Sequence, residues 1–233
     1  MVLFLLAARP VSPDDFACPG QGLAVDANGA TLAVRTGGEG SPLDIVAIGS
    51  SSTEGVGAST PAHAYPAELA DELIHEDGIA AVVRNAGVGG ELAAATLPRL
   101  VSALRSGWAK LVIWQVGTND ALVGVDEARF RSTLEKGVAA ARAAGVPLLL
   151  VDPQYTAKSP DAARYERFVA IVDQTGVRDH VPVLSRFAAL KRFGAKKALA
   201  LLSPDGLHRN DRGYRCLAHA LAEAIEGAAE AKL

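Results

Sequence analysis

An α/β fold, three layers thick with helices on both faces of a five-stranded parallel sheet, is predicted from three features of this 233-residue sequence. From residue 43 onward, short runs of Val, Ile, Leu and Ala alternate strictly with longer helical patterns. Each short run is apolar along nearly its whole length, and small-residue turns follow several of them. Strict alternation implies right-handed crossovers and parallel pairing. An unbroken apolar run is what a strand needs when helices cover both its faces.

Residues 1–42 read as an irregular leader, rich in Pro, Gly, Asp and Ala, with room for one hairpin at Asp26-Ala-Asn28-Gly29. Its first residues, Met1 to Ala8, read either as the tail of a signal-peptide hydrophobic segment or as a buried strand. A single domain over residues 43–233 follows. Its strands are Asp44 to Ile48, Ala80 to Val83, Leu111 to Val116, Leu148 to Val151 and Val181 to Leu184. Helical periodicity covers about 62–76, 91–106, 126–144, 161–174, 185–200 and 212–228. In the last of these Tyr214, Leu217, Leu221 and Ile225 form one apolar stripe, with Asp211 placed as N-cap.

Composition narrows the function classes. With 23 Lys and Arg against 26 Asp and Glu, the formal net charge is −3, so neither a nucleic-acid nor an anionic-membrane partner, each of which wants a basic surface, is expected. Arg9 ends the apolar N-terminal run before it is long enough to cross a bilayer, so no membrane span is expected. Cys18 and Cys216 lie far apart and outside any CxxC or metal-type cluster, leaving a disulfide and two buried thiols both open. The histidines His63, His75, His180 and His219 lack partners at ligand spacing, and no metal site is assigned.

In parallel sheets, ligands bind beyond the carboxyl ends of the strands, so the residues just after each strand carry the chemistry. The first strand is followed by Gly49-Ser-Ser51-Ser-Thr53-Glu-Gly55. This turn reads as a nucleophilic serine under free backbone N–H groups, as a phosphate cradle of the flavin-binding kind, or as a turn without a ligand. The second strand is followed by Asn85-Ala-Gly87-Val-Gly89-Gly90-Glu91, and the third by Gly117-Thr118-Asn119-Asp120. Near the C-terminus Asp205 and His208 stand three residues apart in Ser203-Pro-Asp205-Gly-Leu-His208, so the carboxylate can hold one ring nitrogen and leave the other free as a base. Acyl transfer needs such a set: a nucleophile, a base, a group that orients the base, and donors for the developing oxyanion.

Over residues 43–228 the four blocks, in this order, resemble those of the SGNH hydrolases, also called GDSL esterases and lipases. The resemblance implies that Ser51 attacks an ester carbonyl, His208 accepts its proton and Asp205 orients His208. It also implies that the oxyanion is held by the N–H groups of Ser51 and Gly90 and the side-chain amide of Asn119. Two consensus residues differ, with Ser50 in place of Asp and Ser52 in place of Leu, and spacing from Gly49 and Gly55 selects Ser51 among the three serines. The strings Trp114-Gln-Val-Gly117, Asp152-Pro-Gln154-Tyr155 and Gly213-Tyr-Arg-Cys216 resemble a bacterial, often exported subgroup, so export is expected, with a cytoplasmic location as the other outcome.

The expected protein is therefore a flavodoxin-like three-layer domain that hydrolyses short-chain carboxylic esters, O-acetylated carbohydrate among them, with no cofactor. Gln154 and Tyr155, after the fourth strand, are candidates to line the substrate pocket. Glu54 and Glu91 are assigned to helix first turns. The competing functions are an acyltransferase with the same triad and a non-catalytic flavin-, phosphate- or carbohydrate-binding module.

Overall fold

A computed structural model of the chain describes residues 18, 25, 26, 32, 41–156 and 158–230. Its sheet contains β1 (Val25–Asp26), β2 (Leu43–Gly49), β3 (Ala81–Gly87), β4 (Leu111–Gln115), β5 (Leu148–Val151) and β6 (Val183–Leu184), in the order β1-β6-β5-β4-β2-β3. Strands β2 to β6 are mutually parallel, as expected. The sixth, β1, pairs antiparallel with β6 and was not expected, because two residues are too short to show a period.

The leader is not separate from the domain. Besides β1, Leu32 is buried in the core, and Cys18 is joined to Cys216 by a disulfide. The Met1 to Ala8 segment and the turn beyond Asp26 lie outside the described residues.

The helices are α1 (Ser51–Glu54), α2 (Tyr65–His75), α3 (Ala93–Arg105), α4 (Thr118–Val123), α5 (Glu127–Ala144), α6 (Ala162–Asp179), α7 (Arg186–Phe193), α8 (Ala195–Leu199) and α9 (Asp211–Glu230), with a 3₁₀ turn at Pro61–His63. Side chains alternate across each strand, which sorts the core into two layers. Leu43, Ile45 and Ala47 of β2 face Leu69 and Leu73 of α2 and Leu217, Leu221 and Ile225 of α9. Val46 and Ile48 face the other way, towards Leu100 of α3, Phe130 and Leu134 of α5 and Phe168 of α6. Each such fully buried side chain contributes about 1.5–3 kcal/mol relative to exposure. Gly137 of α5 lets the helix close on Trp114, whose indole N–H donates to Thr96 Oγ1 at 2.9 Å, because a Cβ there would run into the ring.

Three expected elements differ. Strand β3 continues to Gly87, past Val83, because pairing with β2 holds it although Arg84 and Asn85 are exposed at the sheet edge. The 185–200 helix is broken at Gly194, which adopts φ +92°, into α7 and α8. Asn210, not Asp211, caps α9. Its Oδ1 accepts the Gly213 N–H at 3.0 Å, while Asp211 accepts the N–H and hydroxyl of Ser59 at 2.7 and 2.6 Å.

Strand order positions the site. From β2 the chain steps to β3 on one side, then crosses to β4 on the other, so the loops leaving β2, β3 and β4 meet at a topological switch point. Those three loops carry Ser51, Gly90 and Asn119.

Candidate active site

Strand β2 ends at Gly49 and α1 begins at Ser51, so the chain turns from strand to helix within two residues. Gly87 at the end of β3 permits this, because a Cβ there would strike the backbone of Thr53 and Glu54. Thr53 anchors the short helix from below, donating to Gln115 Oε1 at 3.0 Å and lying 3.3 Å from the Tyr65 hydroxyl. Of the three adjacent serines, Ser52 is buried with its hydroxyl donated to Gln154 Oε1 at 2.8 Å. Ser51 is the one that meets the imidazole: its Oγ lies 2.8 Å from His208 Nε2.

The imidazole is held from its other side. His208 Nδ1 lies 2.5 Å from Asp205 Oδ2, and because an ionised carboxylate only accepts, Nδ1 carries the proton and Nε2 is free to accept from Ser51. Asp205 Oδ1 accepts from Ser203 Oγ and from the Leu207 and His208 N–H groups at 2.8, 2.8 and 2.9 Å. Partial burial opposes its charge. The hydrogen bonds from His208, Leu207 and Ser203 outweigh that and hold the carboxyl well below the usual range. Asp205 therefore stays ionised beside the imidazole.

The three residues expected to supply donors to an oxyanion lie on the loops leaving β2, β3 and β4. Ser51 is the first residue of α1, where a helix N–H has no acceptor within the helix. Gly90 adopts φ +77°, a conformation that lets the turn after β3 present its backbone. Asn119 Nδ2 donates one hydrogen to the Glu91 carbonyl at 2.9 Å, which fixes the amide and leaves its second hydrogen available. Ser51, Gly90, Asn119, Asp205 and His208 come from four segments of the chain, the loops after β2, β3 and β4 and the turn before α9, with Ser51, His208 and Asp205 in direct hydrogen-bond contact.

Other expectations change. Gln154, expected to line the pocket, is 1% exposed and faces the interior. Its amide is engaged at both ends, accepting from Ser52 Oγ and donating from Nε2 to the Leu207 carbonyl, so it braces the Ser51 helix against the His208 turn. Tyr155 is partly exposed, its ring centroid 5.8 Å from that of Phe187. Glu91 precedes α3 rather than sitting in its first turn, and pairs with Arg99. His63, His75 and His219 pair with Glu68, Asp71 and Glu72, and His180 closes the C-terminus of α6 at φ +51°. Among the described residues no group of three or more His, Cys, Asp or Glu could hold a metal ion.

Two supporting residues escaped the sequence reading. The Arg99 guanidinium donates to the carbonyls of Ala86 and Gly49 and to the Glu91 carboxylate, tying together the ends of β2 and β3 and the turn whose carbonyl holds Asn119. Asp120 is buried and accepts the Ala93 N–H at 3.2 and 3.1 Å, fixing the start of α3 to α4. Burial raises its pKa, against the lowering effect of backbone N–H groups from Ala93, Asp120 and Gly117. Asp120 adjoins Asn119 in the same motif, which was a usable signal. Arg99 lies mid-helix in an ordinary helical pattern and offered none.

Fold and site together define an α/β protein of the SGNH-hydrolase kind. The chain belongs to the non-GDSL lipase-like family, whose sequence profile matches residues 18–231, in keeping with Ser50 and Ser52 at the two consensus positions. Among solved structures it is similar to AlinE4, an SGNH-hydrolase family esterase, at 29% identity and a TM-score of 0.61 over 81% of this chain and 97% of that one. It also resembles a lipase/acylhydrolase from Enterococcus faecalis at 23% identity, TM-score 0.69, covering 79% and 95% of the two chains. The esterase EstA from Pseudoalteromonas sp., whose structure was determined inhibited by monoethylphosphonate, matches at 20% identity and TM-score 0.66 over 79% and 97%. No curated protein sequence matches.

Proposed function

We propose that the chain is a serine esterase that cleaves short-chain carboxylic esters through an acyl-enzyme on Ser51. The observation that carries this reading is the chain of hydrogen bonds from Ser51 Oγ to His208 Nε2 and from His208 Nδ1 to Asp205. Ser51 Oγ attacks the carbonyl carbon as its proton passes to His208 Nε2. The carbonyl oxygen becomes an oxyanion and accepts from the N–H groups of Ser51 and Gly90 and the free amide hydrogen of Asn119, each worth on the order of 3 kcal/mol in the transition state. Collapse expels the alcohol, which takes the proton from Nε2. Water then attacks the acyl-enzyme by the same route and restores Ser51. Asp205 stabilises the imidazolium in both halves without taking its proton.

Short acyl groups, acetyl on carbohydrate included, are favoured by the small residues that build the turn around Ser51. Tyr155, partly exposed after β5, is a candidate to contact the substrate. Among the described residues no helix is long and apolar enough to cross a membrane. Export to an oxidising compartment is supported by the Cys18–Cys216 disulfide, since such bonds are rare where thiols are kept reduced. Ser51→Ala should abolish turnover of p-nitrophenyl acetate with an unchanged circular dichroism spectrum. Full activity in that variant would remove the nucleophile and the mechanism with it.

A further inference from the structure

Beneath the His208 turn lies a buried cationic cluster that ester hydrolysis does not use. Arg186, the first residue of α7, and Arg209, which directly follows His208, are 0% and 2% exposed. Their charges act on each other, and both act on Tyr214 and Asp152. Arg186 also acts on Tyr65 and Tyr165, so side chains from separate segments lie within electrostatic reach of one another in the interior. Two guanidinium groups this far from water need partners for their charge and for their N–H groups.

Those partners are only partly present. Arg186 Nε donates to the Asp152 carbonyl at 2.7 Å and lies 3.9 Å from its carboxylate. The Asp152 carboxylate oxygens in turn accept the Phe187 N–H at 3.2 Å. The Tyr165 hydroxyl donates to the Gln154 carbonyl at 2.7 Å, the Tyr214 hydroxyl to the Val56 carbonyl at 2.6 Å, and Tyr65 is shared with Thr53. Asp173, the next carboxylate outward, is partly exposed and accepts from Ser185 Oγ at 3.4 Å. Arg186 Nη1, Arg186 Nη2 and Arg209 Nε remain buried without a hydrogen-bond acceptor. Each unsatisfied donor in such a place is strongly unfavourable, and here all three are cationic.

We propose that Arg186 and Arg209 form a closed binding site for a small monovalent anion, chloride, held by Arg186 Nη1 and Nη2 and Arg209 Nε. Burial pushes the Asp152 carboxyl well above its usual range despite the neighbouring Arg186 charge, so it does not balance the two guanidinium groups, and a halide supplies the missing negative charge. Such an ion accepts several N–H bonds from different directions and offers none, which matches the leftover atoms. Burial, together with the neighbouring Arg186 charge, lowers Arg209 to about 9, the direction of a cation lacking its counter-charge. The occupied site would tie the His208 turn to α7 and to the end of β5 through groups that never touch substrate.

The test uses the purified full chain in gluconate at constant ionic strength, titrated with sodium chloride or sodium bromide. The unfolding temperature should rise saturably by about 2–4 °C with either halide. Crystals grown in bromide should show an anomalous scattering peak between the two guanidinium groups. Arg209→Met should show neither effect; if that variant does not fold, the wild-type measurements decide alone. Absence of a bromide peak between the arginines overturns the proposal, with or without a thermal response, and leaves water as the occupant. None of these measurements depends on ester hydrolysis, so this inference and the esterase reading fail separately.

Discussion

Replacing Gln154 with Met keeps the side-chain length and nearly the volume while deleting both amide hydrogen bonds. The buried Ser52 hydroxyl loses its acceptor and the partly buried Leu207 carbonyl loses its donor. At about 1–3 kcal/mol for each buried polar group left unsatisfied, and with no cavity added, the loss is about 2–4 kcal/mol once the Ser52 hydroxyl rotates to another acceptor. For a chain of this size that lowers the unfolding temperature by about 4–16 °C. The catalytic consequence is larger in proportion. Gln154 fixes the distance between the helix that starts at Ser51 and the turn that holds His208, and an error of about 1 Å in such a pair costs about 100-fold. With p-nitrophenyl acetate and butyrate, Gln154→Met should lose about 10- to 100-fold in kcat and change KM within about twofold for both esters. A variant with normal kcat, normal unfolding temperature and an altered acyl-chain preference would refute the bracing role and restore Gln154 to the substrate pocket.

Asn119→Ala should lower kcat by about 10²–10³ and leave the fold intact, because only the transition state uses the second amide hydrogen; a loss expressed wholly in KM would contradict the oxyanion role. His219 is half-buried between Glu72 and Glu223. Burial opposes its charge, but the Glu72 carboxylate dominates and raises its pKa, so its stabilising charge is complete below about pH 6.5 and is lost as pH rises through the folded value. Thermal unfolding followed from pH 6 to 9 should therefore decline more steeply in the wild type than in His219→Gln, and identical slopes would reject the pair as a pH-dependent contributor. Reducing the Cys18–Cys216 bond, which spans 198 positions, should lower stability by at most about 5 kcal/mol on the chain-entropy account, read as a fall in the denaturant midpoint under reducing conditions. An unchanged midpoint would mean that the reduced unfolded chain is no less constrained than the oxidised one.

The sequence by itself determined the layers and the participants. Burial on both faces demands unbroken apolar runs, and helices demand a 3.6-residue stripe. The five parallel strands and most of the helices could therefore be read from residues such as Leu111 to Gln115 or Leu217, Leu221 and Ile225. Ser51, Gly90, Asn119, Asp205 and His208 stood out as a set in the order of the SGNH-hydrolase blocks, since each turn taken alone also suits a plain loop or cap. Tertiary structure alone decided which polar groups meet. Ser51 and His208 are 157 positions apart, and they touch because α9 packs against α2 and β2 and so brings the turn before it to the end of β2, a placement that no local period encodes. The same holds for Gln154, which turned inward to brace the site, for Arg99 beneath the glycine turn, and for Cys18 against Cys216. A polar side chain after a strand faces solvent, substrate or interior according to what the rest of the chain places opposite it, and that is set by long-range packing rather than by its neighbours in sequence.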